Sequence, residues 1–334
     1  MASSIRVYVY RNKQGVPVMN SENIIYTEQM QDLPDDQFDL VGIDESKLQA
    51  VVRPHTTYWQ DALRRFVKNK VALAGFVVIL LIALLAAFAP LFSKYDAYTN
   101  NLLERHMPIS KEHIFGTDAL GRDIWCRIWV GARVSLLIGF SAAIIESVVG
   151  VIIGGISGYL GGKADLIIMR IVEIMSAIPN MMFIILIMVI VGQGIPPLIL
   201  SFAVTGWLGM ARLVRGQVLH LKELEFVMVA KTMGANAGRI IFRHLIPNTI
   251  GVIIVSLTMS IPQAIFTEAF LSFIGIGVKP PTPSWGVLAS DGATVLRAYP
   301  SELLIPALLI CLTMLSLNLL GDGLRDALDP KMRI

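Results

Sequence analysis

The chain has 334 residues, of which 54% are hydrophobic and 16% are charged. Soluble domains carry roughly a quarter charged residues, so this composition predicts an integral membrane protein. Two cysteines, Cys126 and Cys311, are too few for a disulfide framework and have no metal-ligand spacing, so we expect no bound metal. The net charge of +3 comes from basic residues beside apolar runs and not from one basic stripe, which argues against nucleic acid as a partner.

Residues 1–57 differ in composition from the rest of the chain. They include eight acidic residues between Glu22 and Glu45 and few apolar runs that could pack a core. We therefore expect a cytoplasmic tail with limited structure of its own. The segment also lacks a short apolar run followed by a small-residue cleavage site, so we expect no removable signal peptide.

Residues 58–70 show the spacing of an amphipathic helix. Apolar side chains recur at i, i+3, i+4, i+7 and i+8 from Trp59 to Val67, beside basic residues suited to lipid headgroups. We predict an interfacial helix that leads into the first membrane span. A plain basic flank to that span is the alternative.

Six stretches of the chain are long and apolar enough to cross a bilayer. A hydrocarbon core about 30 Å thick requires about 20 mainly apolar helical residues, because lipid offers no partner to an unpaired backbone N–H or C=O. We therefore predict an all-α, polytopic protein with six transmembrane helices within residues 71–334. The predicted spans are Val71–Phe92, Val134–Ile156, Leu166–Val191, Leu198–Val214, Thr249–Phe270 and Leu303–Leu320.

An even number of spans places both termini on one side of the membrane. Basic residues cluster before the first span, in the fourth connection and after the last span, which selects the cytoplasm for the termini. The first outer loop, about 40 residues long, also carries basic residues, although the rule weakens as loops lengthen. We expect a multi-pass protein of the cytoplasmic (inner) membrane.

The first outer loop contains two short segments of turn-forming and helix-capping residues, at 116–118 and 121–123. Their charged members are Asp118, Arg122 and Asp123. Two interpretations remain open for these residues: a local structural role, or docking of an external protein.

The second span combines small residues with one acid. Gly150, Gly154 and Gly158 follow one another at four-residue steps, which lets a neighbouring backbone approach closely, either within the chain or across a subunit interface. Glu146 lies in mid-span, where an unpaired charge is costly, and is expected to face the bundle interior, a cavity or a partner. Pro179 favours a kink in the third span.

The fourth connection, at about residues 215–248, contains the most informative segment. Its residues 223–248, which we call the knob, begin with a short helix that is apolar nearly all round in basic, aqueous surroundings. Gly234 is well placed to end that helix in the left-handed conformation, and a second helix is expected before Pro247. A knob fixed to two spans suits docking into a groove of a cytoplasmic partner, whereas a loop folded back on its own bundle is the alternative.

The last two spans and their connection contain further candidates. Glu268 in the fifth span and Asn318 in the sixth are, with Glu146, our candidates for a translocation path or gate. Residues 279–286 are rich in proline and predict a stiff, extended segment, with Trp285 suited to the membrane interface. This segment is either an outer gate or docking ledge, or an ordinary rigid connection.

The knob resembles the EAA loop of the membrane subunits of ABC importers. Ala230 stands at the second alanine of that pattern, Gly234 at its glycine and Pro247 at its proline. The glutamate of the pattern is missing here, with Glu225 one turn earlier. Residues that depart from the pattern are Met228, Val229, His244 and Ile246.

Four further stretches narrow the resemblance to the C-type permease subunits of oligopeptide and dipeptide importers. They are residues 115–139, 158–179, 268–286 and 318–330. The resemblance covers the chain from about Tyr58 to its end and leaves out residues 1–57. It implies the type I ABC importer permease fold and a subunit that forms half of a translocation path.

The resemblance also implies a set of partners. They are a second, homologous permease subunit, two ABC ATPase subunits, an extracellular or periplasmic peptide-binding protein, the peptide substrate and membrane lipid. This chain has no GxxxxGK[ST] phosphate loop, because Gly162-Lys163 is followed by Ala164. We therefore expect no catalysis and no cofactor on this chain, with ATP and Mg on the partner subunits.

On this interpretation the knob transmits ATPase motion to the membrane spans. The candidate contacts with the ATPase are Glu225, Phe226, Ala230, Gly234 and Pro247. Two other classes of function stay open. An ion-coupled carrier that works without an ATPase is motivated by Glu146 alone, and a membrane scaffold that moves nothing would explain the knob but not the other matches.

Overall fold

The computed structural model describes residues 58–328, and the predicted tail at residues 1–57 lies outside them. The described part is α-helical apart from its connecting segments and one isolated bridge between Thr117 and Asp123, as predicted. The helices are α1 (Tyr58–Lys68), α2 (Lys70–Phe92), α3 (Ile124–Leu160), α4 (Gly162–Ala177), α5 (Asn180–Val191), α6 (Ile195–Thr205), α7 (Trp207–Leu221), α8 (Glu225–Thr232), α9 (Ala237–Ile240), α10 (Ile246–Phe273), α11 (Trp285–Thr294) and α12 (Pro300–Leu328), with a 3₁₀ turn at Leu102–Glu104 and a π turn at Ile241–Leu245.

The predicted number of membrane spans agrees with these helices. Five segments are long and apolar enough to cross a membrane: α2, α3, α6 with α7, α9 through α10, and α12. A sixth candidate is the pair α4–α5, which is bent by 82° and is either one broken span or a re-entrant segment. The bend lies at Pro179, where a kink is predicted, and Ile178 before it has the extended ψ of 130° that a following proline favours.

The second span starts ten residues earlier than predicted, at Ile124 instead of Val134. Its first turn is capped by Asp123, whose side chain accepts from the Cys126 N–H at 2.8 Å. The added segment includes Arg127, whose charge would be costly there if unpaired. That guanidinium is instead paired with the buried Asp118, so the helix can extend through it.

Arg133, the other cation near this end of α3, is accommodated by a proline in α2. Pro90 lies inside α2 and has no N–H to offer the carbonyl of Ala86. Arg133 donates to that carbonyl from Nε at 2.5 Å and to the Ala87 carbonyl at 2.8 Å. The cation therefore satisfies the Ala86 carbonyl, the backbone acceptor that the proline leaves free.

α3 is the central helix of the bundle, and its glycine face packs within the chain. A Cβ added to Gly150 would lie 2.5 Å from Cβ of Met210, and one added to Gly158 would lie 2.9 Å from the Arg215 carbonyl oxygen. Both neighbours are on α7, which also covers Gly154. Of the two interpretations of this stripe, packing within the chain is the one observed.

Apolar clusters bury the two ends of α3 separately. Around its first half, Ile128 and Trp129 pack with Ile265, Trp285 and Leu317 from α10, α11 and α12. Around its last half lies a second cluster that joins α7 to the knob. Its buried members are Met210, Val214, Val218, Val227, Ile240, Ile241, Leu245 and Ile253.

The predicted helix at the start of the described residues is present as α1. It contacts α2 and α12 and buries Ala62, which is 7% exposed. Trp59, Leu63 and Val67 lie one turn apart and are all exposed. The amphipathic helix is therefore confirmed, and its position at a lipid surface stays a prediction.

Candidate functional site

The knob has the predicted helix–turn–helix form. α8 ends before Gly234, whose φ of 84° is left-handed, and the Ala235 N–H closes the end by donating to the Ala230 carbonyl at 3.1 Å. Asn236 then caps α9 by accepting from the Arg239 N–H at 2.8 Å. The second helix predicted before Pro247 is present as α9 and the π turn, and it does not end there. The helix passes through the π turn into α10, because Pro247 occupies the first turn of α10, where its missing N–H costs little.

The knob has one buried face and one exposed face. Val227, Ile240 and Leu245 are 4%, 0% and 0% exposed and pack against Val214 and Val218 of α7. The interpretation of a loop folded on its own bundle is correct for this face. This packing fixes the knob rigidly to α7 and α10.

The exposed face of the knob is apolar. Phe226 is 39% exposed and Met233 is 82% exposed, with Leu224, Met228 and Val229 also exposed beside them. An exposed cluster of large apolar side chains outside the membrane spans is typical of an interaction surface. Among the predicted contacts, Glu225, Gly234 and Pro247 are exposed and Ala230 is half-buried.

A second feature is a polar cavity of about 380 Å³ beside α3. It lies beside the bend between α4 and α5 and beside Gly206, the residue between α6 and α7. Glu146, half-buried, lies against the Gly206 backbone. Within residues 58–328 its carboxylate makes no hydrogen bond or ion pair. Further polar residues lining the cavity are Ser176, Asn180, Thr205, Arg212 and Gln263.

The other two residues predicted for the path do not lie in this cavity. Glu268 is fully buried and accepts hydrogen bonds from Ser135 Oγ at 2.8 Å and Ser272 Oγ at 2.9 Å. It is therefore sealed between α3 and α10, and its assignment to the path is wrong for this structure. Asn318 is exposed on α12 and remains a candidate.

The predicted outer docking residues are buried, and their interpretation as a docking surface is wrong. Asp118, Arg122 and Asp123 are 4%, 8% and 4% exposed. Trp285, predicted at the membrane interface, is 0% exposed, because its indole N–H finds a partner inside the bundle, the Ile128 carbonyl, at 3.2 Å. The structural alternative, turn and capping chemistry, fits this geometry.

Asp118 organises the outer loop. Its carboxylate accepts from Nε of Arg122 at 2.8 Å and from a guanidinium nitrogen of Arg127, as well as from the backbone of Leu120 at 2.9 Å. Burial alone would raise the pKa of Asp118, but Arg127, Arg122 and these N–H donors outweigh burial and hold the pKa below its ordinary 3.8.

Asp291 on α11 extends the same network with the opposite pKa shift. It lies 3.6 Å from Arg127 and 3.7 Å from Arg122. The Asp291 side chain is 47% exposed, but at these longer distances the desolvation of its carboxylate outweighs the two arginines and raises the pKa of Asp291.

Several residues of the cavity were not found from the sequence. Arg212 had been used only as evidence for orientation, and Ser176, Asn180 and Gln263 had no assigned role. One signal was available: Pro179 interrupts a predicted span, and side chains beside such a break face a space that helices do not fill.

Six spans around a buried core, with an apolar face outside the bundle, define a polytopic membrane subunit built for attachment to other chains. The family described as binding-protein-dependent transport system inner membrane component matches residues 150–334, and that described as N-terminal TM domain of oligopeptide transport permease C matches residues 57–108. The chain belongs to the family of binding-protein-dependent transport system inner membrane components.

Individual relatives are similar over nearly their whole length. The chain is 49% identical over 304 residues to the oligopeptide transport system permease protein OppC of Bacillus subtilis (strain 168), covering 91% of this chain and 100% of that protein. It is 47% identical to the dipeptide transport system permease protein DppC of the same strain, covering 96% and 99%. It is 44% identical to OppC of Escherichia coli (strain K12), covering 82% and 92%.

Membership of this family gives the chain its class of function. It is a multi-pass inner-membrane permease subunit of a binding-protein-dependent ABC transporter and does not itself catalyse a reaction. An ATPase, a second permease and a binding protein are the partners that such a system implies. The ATP is hydrolysed by the partner ATPase.

Proposed function

We propose that this chain is the C-type permease subunit of an ATP-driven importer of oligopeptides or dipeptides. It forms half of the translocation path, and a homologous permease forms the other half. The substrate class rests on the names of relatives that are 49% and 47% identical over nearly their full length. The observation that carries the mechanism is the apolar knob face, held rigidly to two membrane spans and covered by nothing in residues 58–328.

The knob face is the contact with one of two ATPase subunits. Phe226 and Glu225 at the start of α8, with Ala230 and Gly234 at its end, border this face, and Pro247 lies where the knob enters α10. Burying a large apolar side chain contributes about 1.5–3 kcal/mol, so a few such residues suffice for a stable contact. Because ATPase subunits are cytoplasmic, the knob and both termini lie on the cytoplasmic side of the membrane.

The polar cavity at Glu146 is part of the translocation path, and Asn318 faces the path or the second permease. A peptide has a polar backbone and side chains of both kinds, so a cavity whose lining mixes carboxylate, amide and guanidinium groups with apolar side chains suits it better than a purely apolar channel. A buried carboxylate in a membrane span is expected to serve function, because its desolvation is costly.

The first described helix attaches the cytoplasmic side of the chain to lipid. Trp59, Leu63 and Val67 form its exposed apolar stripe, and Arg64 and Lys68 are exposed beside them. This arrangement suits an anionic membrane surface.

The test is purification of the complex in mild detergent from its native membrane, followed by mass spectrometry and an ATPase assay with di- to hexapeptides. We expect a second permease, two ATPase chains and hydrolysis stimulated by peptide together with the binding protein. A known ABC importer purified in parallel shows that the detergent preserves such assemblies. A lone chain without ATPase activity in that detergent would contradict the proposal, and ion-driven transport by vesicles holding only this chain would establish the carrier instead.

A further inference from the structure

One helix connects the knob to the polar cavity. α7 begins at the cavity, beside Gly206, and ends at Leu221, immediately before the knob. Apolar packing fixes its last two turns to the knob. Any displacement of the knob is therefore carried along α7 to the cavity.

The neighbouring helix α4 is held in a different way. Val172 is its one buried residue, and the side chains of Leu166, Ile167, Ile171 and Ile174 are exposed. Apolar packing therefore fixes α4 only weakly to the rest of the chain. Polar side chains of α7 supply the attachment.

The first attachment lies at the start of α4. Arg215 of α7 donates to Asp165 through Nε at 2.5 Å and through Nη2 at 2.6 Å, the two-bond fork that arginine forms with a carboxylate. Ser157 at the end of α3 donates to the same carboxylate at 2.6 Å. Lys222, just after α7, donates to the Gly158 carbonyl at 2.9 Å.

The second attachment lies at the end of α4. Arg212, one turn before Arg215 on α7, donates to Ser176 Oγ and, at 3.5 Å, to the Val172 carbonyl. Ser176 and Arg212 both line the cavity, and the 82° bend to α5 follows within three residues. α4 is thus tied to α7 at two places about 16 Å apart along its axis, at 1.5 Å per residue.

We propose that Arg215–Asp165 and Arg212–Ser176 make α4 follow α7, so that movement of the knob changes the α4–α5 bend and with it the cavity. A helix tied at two points keeps its orientation relative to the helix that holds it. α5 has no such tie to α7 among the described residues and packs on α6 instead, so relative motion is taken up at residues 178–179. Arg215 and Asp165 are positioning residues that couple the ATPase contact to the path.

This inference rests on the proposed importer function and extends it. A merely structural role predicts something different from coupling. If the ion pair only held the fold together, its loss would lower assembly, ATP hydrolysis and transport in parallel. If it couples motion, its loss lowers the number of peptides transported per ATP hydrolysed in complexes that remain assembled.

The experiment uses the whole importer in proteoliposomes, with peptide uptake and ATP hydrolysis measured on the same preparation. The variants are Asp165→Asn, the milder Arg215→Lys, and the charge exchange Asp165→Arg with Arg215→Asp. The matched control is Arg170→Ala with Glu173→Ala, an ion pair at 2.9 Å on the same helix whose side chains are 68% and 61% exposed.

We expect Asp165→Asn to lower transport per ATP about tenfold, within the usual range of coupling between sites. Arg215→Lys keeps the charge but loses the fork and should lower the ratio less, and the charge exchange should restore part of it. The exposed control pair should leave the ratio unchanged. An unchanged ratio in both Asp165→Asn and Arg215→Lys, or a loss in the control as large as theirs, overturns the inference.

A second measurement keeps the inference testable if Asp165→Asn fails to assemble. Spin labels on exposed positions 167 and 186 report the distance between α4 and α5 with and without ATP bound to the complex. We expect the distance to change on ATP binding in wild type and to change less in Arg215→Lys. Equal changes in the two proteins contradict the coupling role. Failure of the importer function itself would show separately, as wild-type complexes that transport no peptide.

Discussion

The two ends of α3 differ in which side chains they bury and which they expose. At one end, the loop before α3 and the helix α11 bury charged and aromatic side chains against one another, and Asp118, Arg127 and Trp285 are all less than 5% exposed. At the other end, the knob leaves Phe226 and Met233 exposed. The first end pairs its buried carboxylates inside the chain, although Arg127 Nε and Trp129 Nε1 are buried without a partner among the described residues, whereas the apolar face of the second end stays uncovered within residues 58–328.

Because of this difference, we expect variants at one end to change the stability of the chain and variants at the other end to change its assembly with the ATPase. Variants at the outer network should unfold the chain and lower every activity with it. Variants on the knob face should leave the chain folded and lower only its association with the ATPase. The distinction is open to direct measurement, because each end offers an exposed control residue.

The largest expected effect is the loss of Asp118. Asp118→Ala leaves Arg127 buried without its close partner, and breaking a buried ion pair costs about 3–5 kcal/mol. Thermal or denaturant unfolding of the purified protein in detergent measures this loss. Glu112→Ala, an exposed acid in the same loop, should change the free energy of unfolding by less than about 0.5 kcal/mol. Equal free energies of unfolding for the two variants would show that the pairing of Asp118 with Arg127 does not stabilise the fold.

The next effect concerns the exposed face of the knob. Phe226→Ala removes an apolar anchor and should weaken binding of the ATPase by about 2 kcal/mol, roughly 30-fold in Kd, without changing the unfolding transition. The comparison variant is Leu103→Ala, which truncates a side chain that is 97% exposed at the opposite end. Titration of purified ATPase onto each variant in nanodiscs gives the two dissociation constants. A similar Kd for both variants would remove the knob face from the interface.

A smaller effect is expected from the backbone of the knob. Gly234 has φ of 84°, and a residue with a side chain pays about 1–2 kcal/mol in this left-handed region. Gly234→Ala should therefore shift the turn after α8 and lower peptide-stimulated ATP hydrolysis while the protein stays in the membrane. Gly216→Ala on α7, where a Cβ meets nothing within 4 Å, should have no such effect. Normal coupling in Gly234→Ala would show that the turn tolerates displacement.

The smallest effect is the acid dependence of the outer network. The pKa of Asp118 in the folded chain lies below its ordinary 3.8, so the unfolded chain binds more protons in this range. Stability from Asp118 is therefore present above about pH 4 and is lost as the pH falls through the folded pKa. Melting temperatures between about pH 3 and pH 7 measure this loss.

Asp291 provides the control for that measurement because its raised pKa has the opposite sign. Its ionised form costs stability near neutral pH, and its protonation relieves that cost as the pH falls. Asp291→Asn should therefore steepen the acid loss, whereas Asp118→Asn should flatten it. The same slope in both variants would contradict these assignments.

Sequence patterns predicted the elements whose signal is local. The apolar runs gave the spans, Pro179 gave the break between α4 and α5, and Gly234 gave the turn of the knob. Each of these depends on a residue and its immediate neighbours along the chain. The apolar face of the knob was predicted because a helix that is apolar nearly all round is unusual in a basic connection between spans.

What the sequence did not predict depends on partners distant in the chain. From the sequence, Glu268 is a lone charge within a span. In the structure it accepts a hydrogen bond from Ser135, 133 residues away, and belongs to a buried polar cluster. The sequence predicts Trp285 at the membrane interface, whereas its indole N–H donates to the Ile128 carbonyl inside the bundle. Pairings across such separations follow from helix packing, which no single stretch of sequence specifies.

The length of α3 has a mechanical consequence. Its 37 residues make a rod of about 55 Å, nearly twice the thickness of a bilayer core of about 30 Å. A tilt of about 10° about the midpoint would swing each end sideways by roughly 5 Å, in opposite directions, with no change in the helix itself. The outer network packs against one end of α3 and the knob against the other. A displacement at the knob end would therefore tilt α3 as a rigid body and move the outer network at the same time.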